Sequence, residues 1–315
     1  MATYLARRLL QAIVLLAIVS VVTFALIHSA PGGPSLLSNP ELSREDIAQM
    51  REQLGLDDPL PVQYARWLVD LLQGNLGASY NTVEPVAGLI ADRLPNTLLL
   101  TGGALLLSIV VALPLGVLSA TWRNSRFDRG VAGVSFFGIS IPVFWLGIML
   151  IILFSGQLGW LPAGGMATLG EPFSLVDRLK HLILPTLVLA TANLAELTRY
   201  TRSSMISVLG EDYVRTAHAK GLLRRVVLLR HALRAALIPV VTVIGVLLPR
   251  AVSGAAITET VFSWPGMGRL AVEAATTRDY PVVMGTTLTV AVVVVASSLL
   301  TDVAYGYLDP RVRLG

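Results

Sequence analysis

Few residues in this sequence could carry nucleophilic, acid–base or metal chemistry. The chain has no cysteine, and its four histidines are His28, His181, His218 and His231. Their spacing does not match the H-E-x-x-H pattern of a helical zinc site, and no G-x-S-x-G nucleophile elbow is present. The lack of cysteine also excludes a disulfide framework and thiolate chemistry. The sequence therefore predicts no enzyme activity and no bound cofactor or metal.

A phosphate-binding P-loop is missing as well. That motif requires a Gly-Lys pair in front of Ser or Thr. The two lysines of this chain, Lys180 and Lys220, follow Leu179 and Ala219 instead. Energy for any active process must come from another polypeptide or from an ion gradient.

Three ionisable residues, Glu196, Arg250 and Asp302, interrupt long apolar runs. Such residues are costly in lipid and are candidates for function. Glu196 and Asp302 are expected near the inner ends of their helices, where they reach interfacial water. Arg250 is expected about 14 residues into a span, or roughly 21 Å from its start. A translocation cavity, an interface with a partner subunit and snorkelling to the outer surface all remain open for Arg250.

The elements that position these residues are membrane helices. Of the 315 residues, 54% are hydrophobic and only 14% are charged, and the apolar ones form long runs. A helix needs about 20 apolar residues to cross a bilayer. We predict an all-α polytopic membrane protein with six transmembrane helices. The six predicted spans are Leu9–Ser29, Thr97–Ala120, Val131–Phe154, Leu182–Leu197, Ala236–Phe262 and Val282–Gly306.

Charge in the connecting segments predicts the orientation. Basic residues outnumber acidic ones on one side of the predicted membrane, and acidic residues predominate on the other side. The basic segments are 1–8, 121–130, 199–235 and 307–315. Because Lys and Arg are retained in the cytoplasm, both termini are expected to lie inside. Basic residues confined to short loops also argue against nucleic acid as a partner.

The first apolar run could also be interpreted as a signal peptide, because Arg7 and Arg8 precede it. A cleavable apolar region usually has 7–15 residues, and this run is longer. His28 and Pro31 flank Ala30, which makes a poor cleavage site. We therefore expect residues 1–30 to remain as a transmembrane helix.

The second segment, 31–96, is too long for a simple connection and is expected outside the membrane. Helical amphipathic spacing predicts two helices in it, Ser43–Leu54 and Gln63–Leu72. They could cap the bundle at the lipid interface or meet a protein that delivers the solute. Residues 97–306 form the predicted membrane core with the other five spans, and 307–315 form a cytoplasmic tail.

The inner loop 199–235 differs from the other loops. Two helix-compatible stretches, Glu211–Lys220 and Leu222–Arg234, flank Gly221, and glycine is common where a helix ends and the chain turns. Such a hairpin could dock a soluble partner. A basic loop without a partner and an amphipathic helix on anionic lipid are the alternatives.

Segments throughout the chain resemble the dipeptide/oligopeptide (and nickel) permease family of ABC importers, in its first-permease (B-type) form. Two of them, Asp212–Gly221 and Arg230–Pro239, resemble the EAA loop of such permeases. The other similar segments are Leu56–Tyr64, Leu94–Thr97, Trp160–Pro162, Thr258–Gly266, Arg278–Pro281 and Leu308–Arg311. The resemblance implies a multi-pass protein of a bacterial or archaeal cytoplasmic membrane.

The resemblance also implies partners: a second, homologous permease subunit, two ATP-binding subunits and an extracytoplasmic substrate-binding protein. The segment before the glycine would be a coupling helix that contacts an ATPase subunit. The residues implied in this coupling are Tyr213, Arg215, Thr216, Ala217, Lys220 and Gly221. The general motif has Glu-Ala-Ala where this chain has Arg215, Thr216 and Ala217, and a later proline of the motif falls at Arg234. The role of the glutamate therefore does not transfer.

Peptides are the substrate that the resemblance implies first. Nickel, nickel chelates, glutathione and oligosaccharides are carried by permeases of similar pattern. A different class, the ion-coupled secondary transporter, would use Glu196 or Asp302 as its titrating group. In either case Glu196 and Arg250 are the candidate residues of the translocation pathway.

Overall fold

The computed structural model describes residues 2–30, 33–34, 37 and 43–308, and in the helices it leaves undescribed the side chains of 2–5, 250–254 and 303–308. This part of the chain is almost entirely helical, with an isolated extended pair at Ala78 and Pro85. The predicted all-α class is confirmed. The first six helices are α1 (Ala2–Ser29), α2 (Arg44–Gln53), α3 (Leu60–Leu72), α4 (Val86–Thr121), α5 (Arg126–Ser140) and α6 (Val143–Leu150). The others are α7 (Leu175–Leu209), α8 (Asp212–Ala219), α9 (Arg224–Val226), α10 (Leu233–Val261), α11 (Met267–Thr276) and α12 (Tyr280–Leu308).

Five of the described helices are long and apolar enough to cross a membrane, and a bent pair can supply a sixth crossing. The five are Ala6–Ser29, Val86–Thr121, Leu175–Leu209, Arg224–Pro249 and Tyr280–Asp302. Each contains a predicted span or most of one. Polypeptide in a bilayer must pair its backbone groups within the segment, and helices of this length do so.

The predicted third span, Val131–Phe154, is wrong as a single helix. Helix α5 ends at Ser140, α6 begins at Val143, and the two are bent by 103°. Pro142 causes the break, because a residue before proline is pushed out of the helical region. Ile141 has φ −78° and ψ 128°, and Pro142 itself is extended. After α6 the chain continues as a π-helical segment, Ile151–Gln157.

Two other helices are longer than the spans predicted for them. Helix α4 begins at Val86 rather than Thr97, and α7 covers Leu175–Leu209 rather than Leu182–Leu197. The side chain of Ser174 caps α7 by accepting the backbone N–H of Asp177. Polar residues after Leu197 ended the apolar run but not the helix, since a helix continues into water once it is nucleated and capped.

Residues 1–97 and 265–293 form one compact unit. Its helix α2 has a capping box, in which Ser43 and Asp46 satisfy each other's backbone N–H groups. Its core joins the first turns of α4 to α11 and α12 through Val86, Met267 and Val282. A Cβ at Gly285 would lie 2.6 Å from a methyl of Val86, so glycine permits this close packing.

Residues 98–264 and 294–315 form the other unit. In it, α4 packs on α7 through the pair Gly116 and Thr201, where a Cβ on the glycine would lie 2.6 Å from the threonine side chain. Further along the same helices, the Ser108 hydroxyl donates to the carbonyl oxygen of Ala190 at 3.1 Å. These close contacts join residues 108–116 of α4 to residues 190–201 of α7.

Candidate coupling site

Helix α8 is a short arm set between α7 and the helix that follows. Helix α7 ends at Leu209, Glu211 is the extended N-cap residue of α8, and Lys220 is its C-cap residue. Gly221 then has φ +75°, a left-handed conformation that glycine adopts without steric cost. A Cβ at Gly221 would meet no atom within 4 Å, so this position requires glycine for its backbone conformation alone.

The second arm of the predicted hairpin, Leu222–Arg234, has a different structure from the one predicted. Residues Leu222–Arg234 do not form a separate helix. Helix α9, the π-helical segment Val227–Ala232 and α10 follow one another, and Arg224–Pro249 behaves as one span-length helix. The second arm is therefore the beginning of the fifth span, so a displacement at Gly221 acts directly on that helix.

One face of α8 is anchored on the protein's own scaffold. Val214 and Ala217 are buried, with exposed fractions of 1% and 5%. They pack on Val227 of the second arm and on Val208 and Leu209 at the end of α7. Full burial of a valine side chain such as that of Val214 contributes about 1.5–3 kcal/mol. The helix is thus held rigidly on both neighbouring helices.

The other residues predicted for coupling lie at the surface of this arm. Arg215 is 75% exposed in its side chain and pairs with Asp212 at 3.2 Å, which stabilises little because both are solvated. Thr216 donates its hydroxyl to the carbonyl oxygen of Asp212 at 2.9 Å. Partial burial and the nearby Glu211 raise the pKa of Tyr213. Of the six predicted residues, Ala217 belongs to the buried face and the others are exposed or at the turn.

The prediction from the sequence motif did not include an exposed apolar surface at and beside α8. Leu223 and Leu229 have 75% and 60% of their surface exposed, and Tyr213, Leu222 and Val226 are also exposed. We call these five residues the docking patch. A signal for it exists in the sequence, because four of them are large apolar residues interspersed with arginines between α8 and the first turns of the span Arg224–Pro249. Large apolar side chains exposed among charged residues are candidates for a protein interface.

A partly buried ion pair lies near the end of α7 that carries α8. Asp128, at the start of α5, is 3% exposed. Arg202 of α7 donates to both of its carboxylate oxygens, from Nε at 2.6 Å and from Nη2 at 2.7 Å. Ser119 of α4 and the backbone N–H of Asn124 donate to the same carboxylate. One carboxylate thus joins α4, the following turn, α5 and α7.

The structure locates Glu196, one of the two residues predicted for the translocation pathway. Glu196 is not near a helix end, since α7 continues to Leu209. It lines a cavity of about 340 Å³ together with Tyr200, Pro239, Thr242, Val243 and Val246. Arg250 lies in α10, but its side chain falls outside the described residues, so its role stays a prediction.

The turn that follows Trp160–Pro162 contacts Phe262, which lies in the similar segment Thr258–Gly266. The backbone N–H of Gly165 donates to the carbonyl oxygen of Phe262 at 2.8 Å. A Cβ at Gly164 would lie 2.4 Å from that same oxygen, so no larger residue fits there. Glu259, in the same stretch of α10, is fully buried. Within the described residues no group of three or more His, Asp or Glu could hold a metal ion.

Comparison with known proteins matches almost the whole chain. Residues 112–314 match the family described as binding-protein-dependent transport system inner membrane component. Residues 1–101 match the N-terminal region of the same kind of component. The chain belongs to this family of inner-membrane permeases. The permease is therefore a multi-pass protein of the inner membrane, as predicted.

Curated relatives share the full length of the permease. It is 46% identical to the oligopeptide transport system permease protein AppB of Bacillus subtilis, over 99% of this chain and 100% of that one. It is 41% identical to the dipeptide transport system permease protein DppB of Escherichia coli K12, over 94% of each chain. A solved structure of the MetNI methionine ABC transporter, in an inward-facing conformation, has a similar fold. That likeness has a TM-score of 0.58 at 19% identity and covers 70% of this chain and 96% of the other.

Proposed function

We propose that the permease is one of two membrane subunits of an ATP-driven importer for short peptides. A second, homologous permease subunit would complete the pathway, and two ATP-binding subunits would drive it. An extracytoplasmic binding protein would deliver the peptide. Relatives named as oligopeptide and dipeptide permeases support the substrate class.

The observation that supports coupling most strongly is the construction of α8. Its buried face is fixed to α7 and to the second arm, while the docking patch next to it is exposed. A rigid short helix passes on a displacement, whereas a flexible loop would absorb it. The ATP-binding subunit would hold the docking patch, and its closure would move α7 and the fifth span together.

The proposed role of each coupling residue follows from its exposure. Tyr213 would insert its ring into the ATPase surface, and Arg215 and Lys220 would pair with acidic groups there. Thr216 would hold the first turn of α8, and Ala217 would seat the helix on its scaffold. Gly221 would set the angle between α8 and the second arm.

Glu196 and Arg250 are proposed for the translocation pathway. The cavity beside Glu196 combines a carboxylate with the hydroxyls of Tyr200 and Thr242 on an apolar wall. These groups suit the amino end and backbone of a peptide. Arg250 would contact a peptide carboxylate or the second permease.

Affinity purification of the tagged permease from its native membrane tests the proposed assembly. We expect a second permease and two kinds of ATP-binding subunit, or two copies of one, to co-purify in stable proportion. The Leu223→Asp variant should lose the ATP-binding subunits and keep the second permease. As a matched control, Leu169→Asp alters a leucine that is 97% exposed outside the docking patch and should leave all partners bound. Recovery of the permease without any ATP-binding subunit would contradict the proposal.

A further inference from the structure

A second cavity lies within the unit formed by residues 1–97 and 265–293, apart from the coupling site. Its volume is about 540 Å³, within the range of small-molecule sites. Its walls come from the last turns of α1, from α2 and α3, from the 73–85 segment and from the first turns of α12. On the predicted topology these are the outer ends of the first and last spans, so the cavity faces the side from which solute arrives.

Aromatic rings form much of its wall. Phe24 and His28 stack with their centroids 4.0 Å apart, and His28 lies 4.8 Å from Tyr280. The ring of Tyr280 lies 6.1 Å from that of Tyr80. Trp67 of α3 lines the same cavity. The faces of aromatic rings carry negative potential and attract cations.

Most polar groups in the wall are already engaged. The side-chain amide of Gln63 donates to two backbone carbonyls, and the Ser79 hydroxyl donates to Asp279 at 2.5 Å. Asn75 accepts the backbone N–H of Gly77. These contacts engage Gln63, Ser79 and Asn75 with the protein itself, and much of the remaining wall is apolar or aromatic, so the site favours an apolar ligand body.

Charge at the rim is uneven. Arg66 is neutralised by Asp58, to which its Nη2 donates at 2.7 Å. Asp70, one turn further along α3, also lines the cavity. Among the described residues, Asp70 has no side-chain hydrogen bond and no ion pair within 4 Å. The cavity therefore has aromatic faces and one uncompensated carboxylate, which together select a cation attached to an apolar group.

We propose that this cavity binds the amino-terminal end of a short apolar peptide before it enters the translocation pathway. The peptide ammonium would lie between Asp70 and the aromatic faces, and the first apolar side chain would lie against Met50 and Met284. The hydroxyl of Tyr80, whose pKa is raised to about 12 by burial and the neighbouring Asp279, would donate to a peptide carbonyl. This inference rests on the proposed function and names where the peptide first contacts the permease.

The test is peptide binding by the full-length permease in nanodiscs of phosphatidylglycerol, which has no amine. The probes are leucyl-phenylalanine and its N-acetylated form, and the signal is tryptophan fluorescence. We expect a saturable signal that disappears in Trp67→Leu and persists in Trp160→Leu, a control tryptophan in the other unit. Acetylation, which removes the cation, should weaken binding about tenfold or more, and so should Asp70→Asn. Glu52→Gln, an exposed acidic residue of α2 that does not line the cavity, should change nothing.

Three results would overturn the inference. Equal affinity for the acetylated peptide would show that no cation is recognised. A signal unchanged by both Trp67→Leu and Asp70→Asn would place binding elsewhere. Loss of the peptide signal when phosphatidylethanolamine is added at a low fraction would make the cavity a lipid site.

Uptake by the assembled importer separates this inference from the proposed function. If Asp70→Asn abolishes binding in the cavity but leaves peptide uptake unchanged over all peptide concentrations, the cavity inference fails and the proposed function stands. If the cavity binds peptide as expected but the assembled importer moves none, the proposed function fails.

Discussion

Arg202 and Asp128 meet through two parallel hydrogen bonds of 2.6 and 2.7 Å, which tie α7 to the start of α5. Arg202 lies seven residues before the end of α7, and α8 follows that end after two linking residues. Burying a paired charge costs desolvation energy that the pair offsets only with good geometry. The bidentate pair therefore contributes more to the relative position of α5 and α7 than to the net stability of the fold.

Removing one partner of this pair should reduce both stability and coupling. Asp128→Ala leaves Arg202 without its acceptor and should cost about 2 kcal/mol, because the arginine side chain is 30% exposed and can partly rehydrate. Arg202→Lys keeps the charge but not the two-pronged contact, so we expect more ATP consumed for each peptide imported. Measurements are thermal unfolding in detergent and the ratio of ATP hydrolysed to peptide taken up in vesicles.

A double variant distinguishes positioning from stability alone. Asp128→Leu combined with Arg202→Leu removes both charges and should recover part of the thermal stability. The ATP-to-peptide ratio should nevertheless stay raised, because the link between α5 and α7 is lost. Arg199→Lys, an exposed arginine on the same helix, is the matched control. If the double variant has the same ATP-to-peptide ratio as the unaltered permease, the pair has no part in coupling.

Gly221→Ala should impair coupling through the backbone alone. The left-handed conformation at φ +75° costs a residue with a Cβ about 1 kcal/mol, and no neighbouring atom would clash. We expect lower peptide uptake at equal amounts of assembled complex. Gly130→Ala is the control, since that glycine has open space around it and lies inside α5. Equal uptake by both variants would mean that the turn angle is not critical.

The outer loop should lose stability at alkaline pH because of Tyr80. Its pKa is raised to about 12 by burial and by Asp279, from a usual value of 10.0. Since the folded state holds this proton more tightly than the unfolded state, the stabilisation is complete below pH 10 and is lost as the pH rises towards 12. Thermal unfolding followed from pH 9 to 12 should show a smaller decline in Tyr80→Phe than in the unaltered permease. An identical decline in both would contradict this assignment.

Glu196→Gln and Arg250→Met test the translocation pathway. We expect Glu196→Gln to slow uptake of peptides with a free amino end more than that of N-acetylated ones, because the carboxylate beside Tyr200 is lost. Arg250→Met should change uptake of peptides according to their carboxyl end. Initial uptake rates of four peptides, with each end free or blocked, measure both effects. Unchanged transport of every peptide would remove the altered residue from the pathway.

The sequence predicted the helical class and most spans, because apolar runs of membrane length leave few alternatives. It failed where local geometry overrides hydropathy. The run around Ile141 and Pro142 is apolar throughout, yet proline bends it by 103°. Polar residues after Leu197 hid the true length of α7.

The sequence identified the candidate coupling site by its motif but did not reveal its exposed apolar surface. The residues of α8 and Gly221 were identified by resemblance, and the structure has a helix at Asp212–Ala219 followed by a left-handed Gly221. The Asp128–Arg202 pair could not be foreseen, since its members are 74 residues apart. Exposure of Leu223 and Leu229 depends on which side of the second arm packs against α8, and one sequence does not reveal that side.

Reconstituted uptake tests the central claim most directly. The permease, its co-purified permease partner, the ATP-binding subunits and the binding protein are incorporated in vesicles, and accumulation of a labelled dipeptide is measured with ATP supplied on the α8 side. We predict ATP-dependent accumulation that stops when the ATP-binding subunits are omitted and when Leu223 is changed to Asp. Accumulation without ATP-binding subunits, driven by an ion gradient and abolished by an uncoupler, would contradict it.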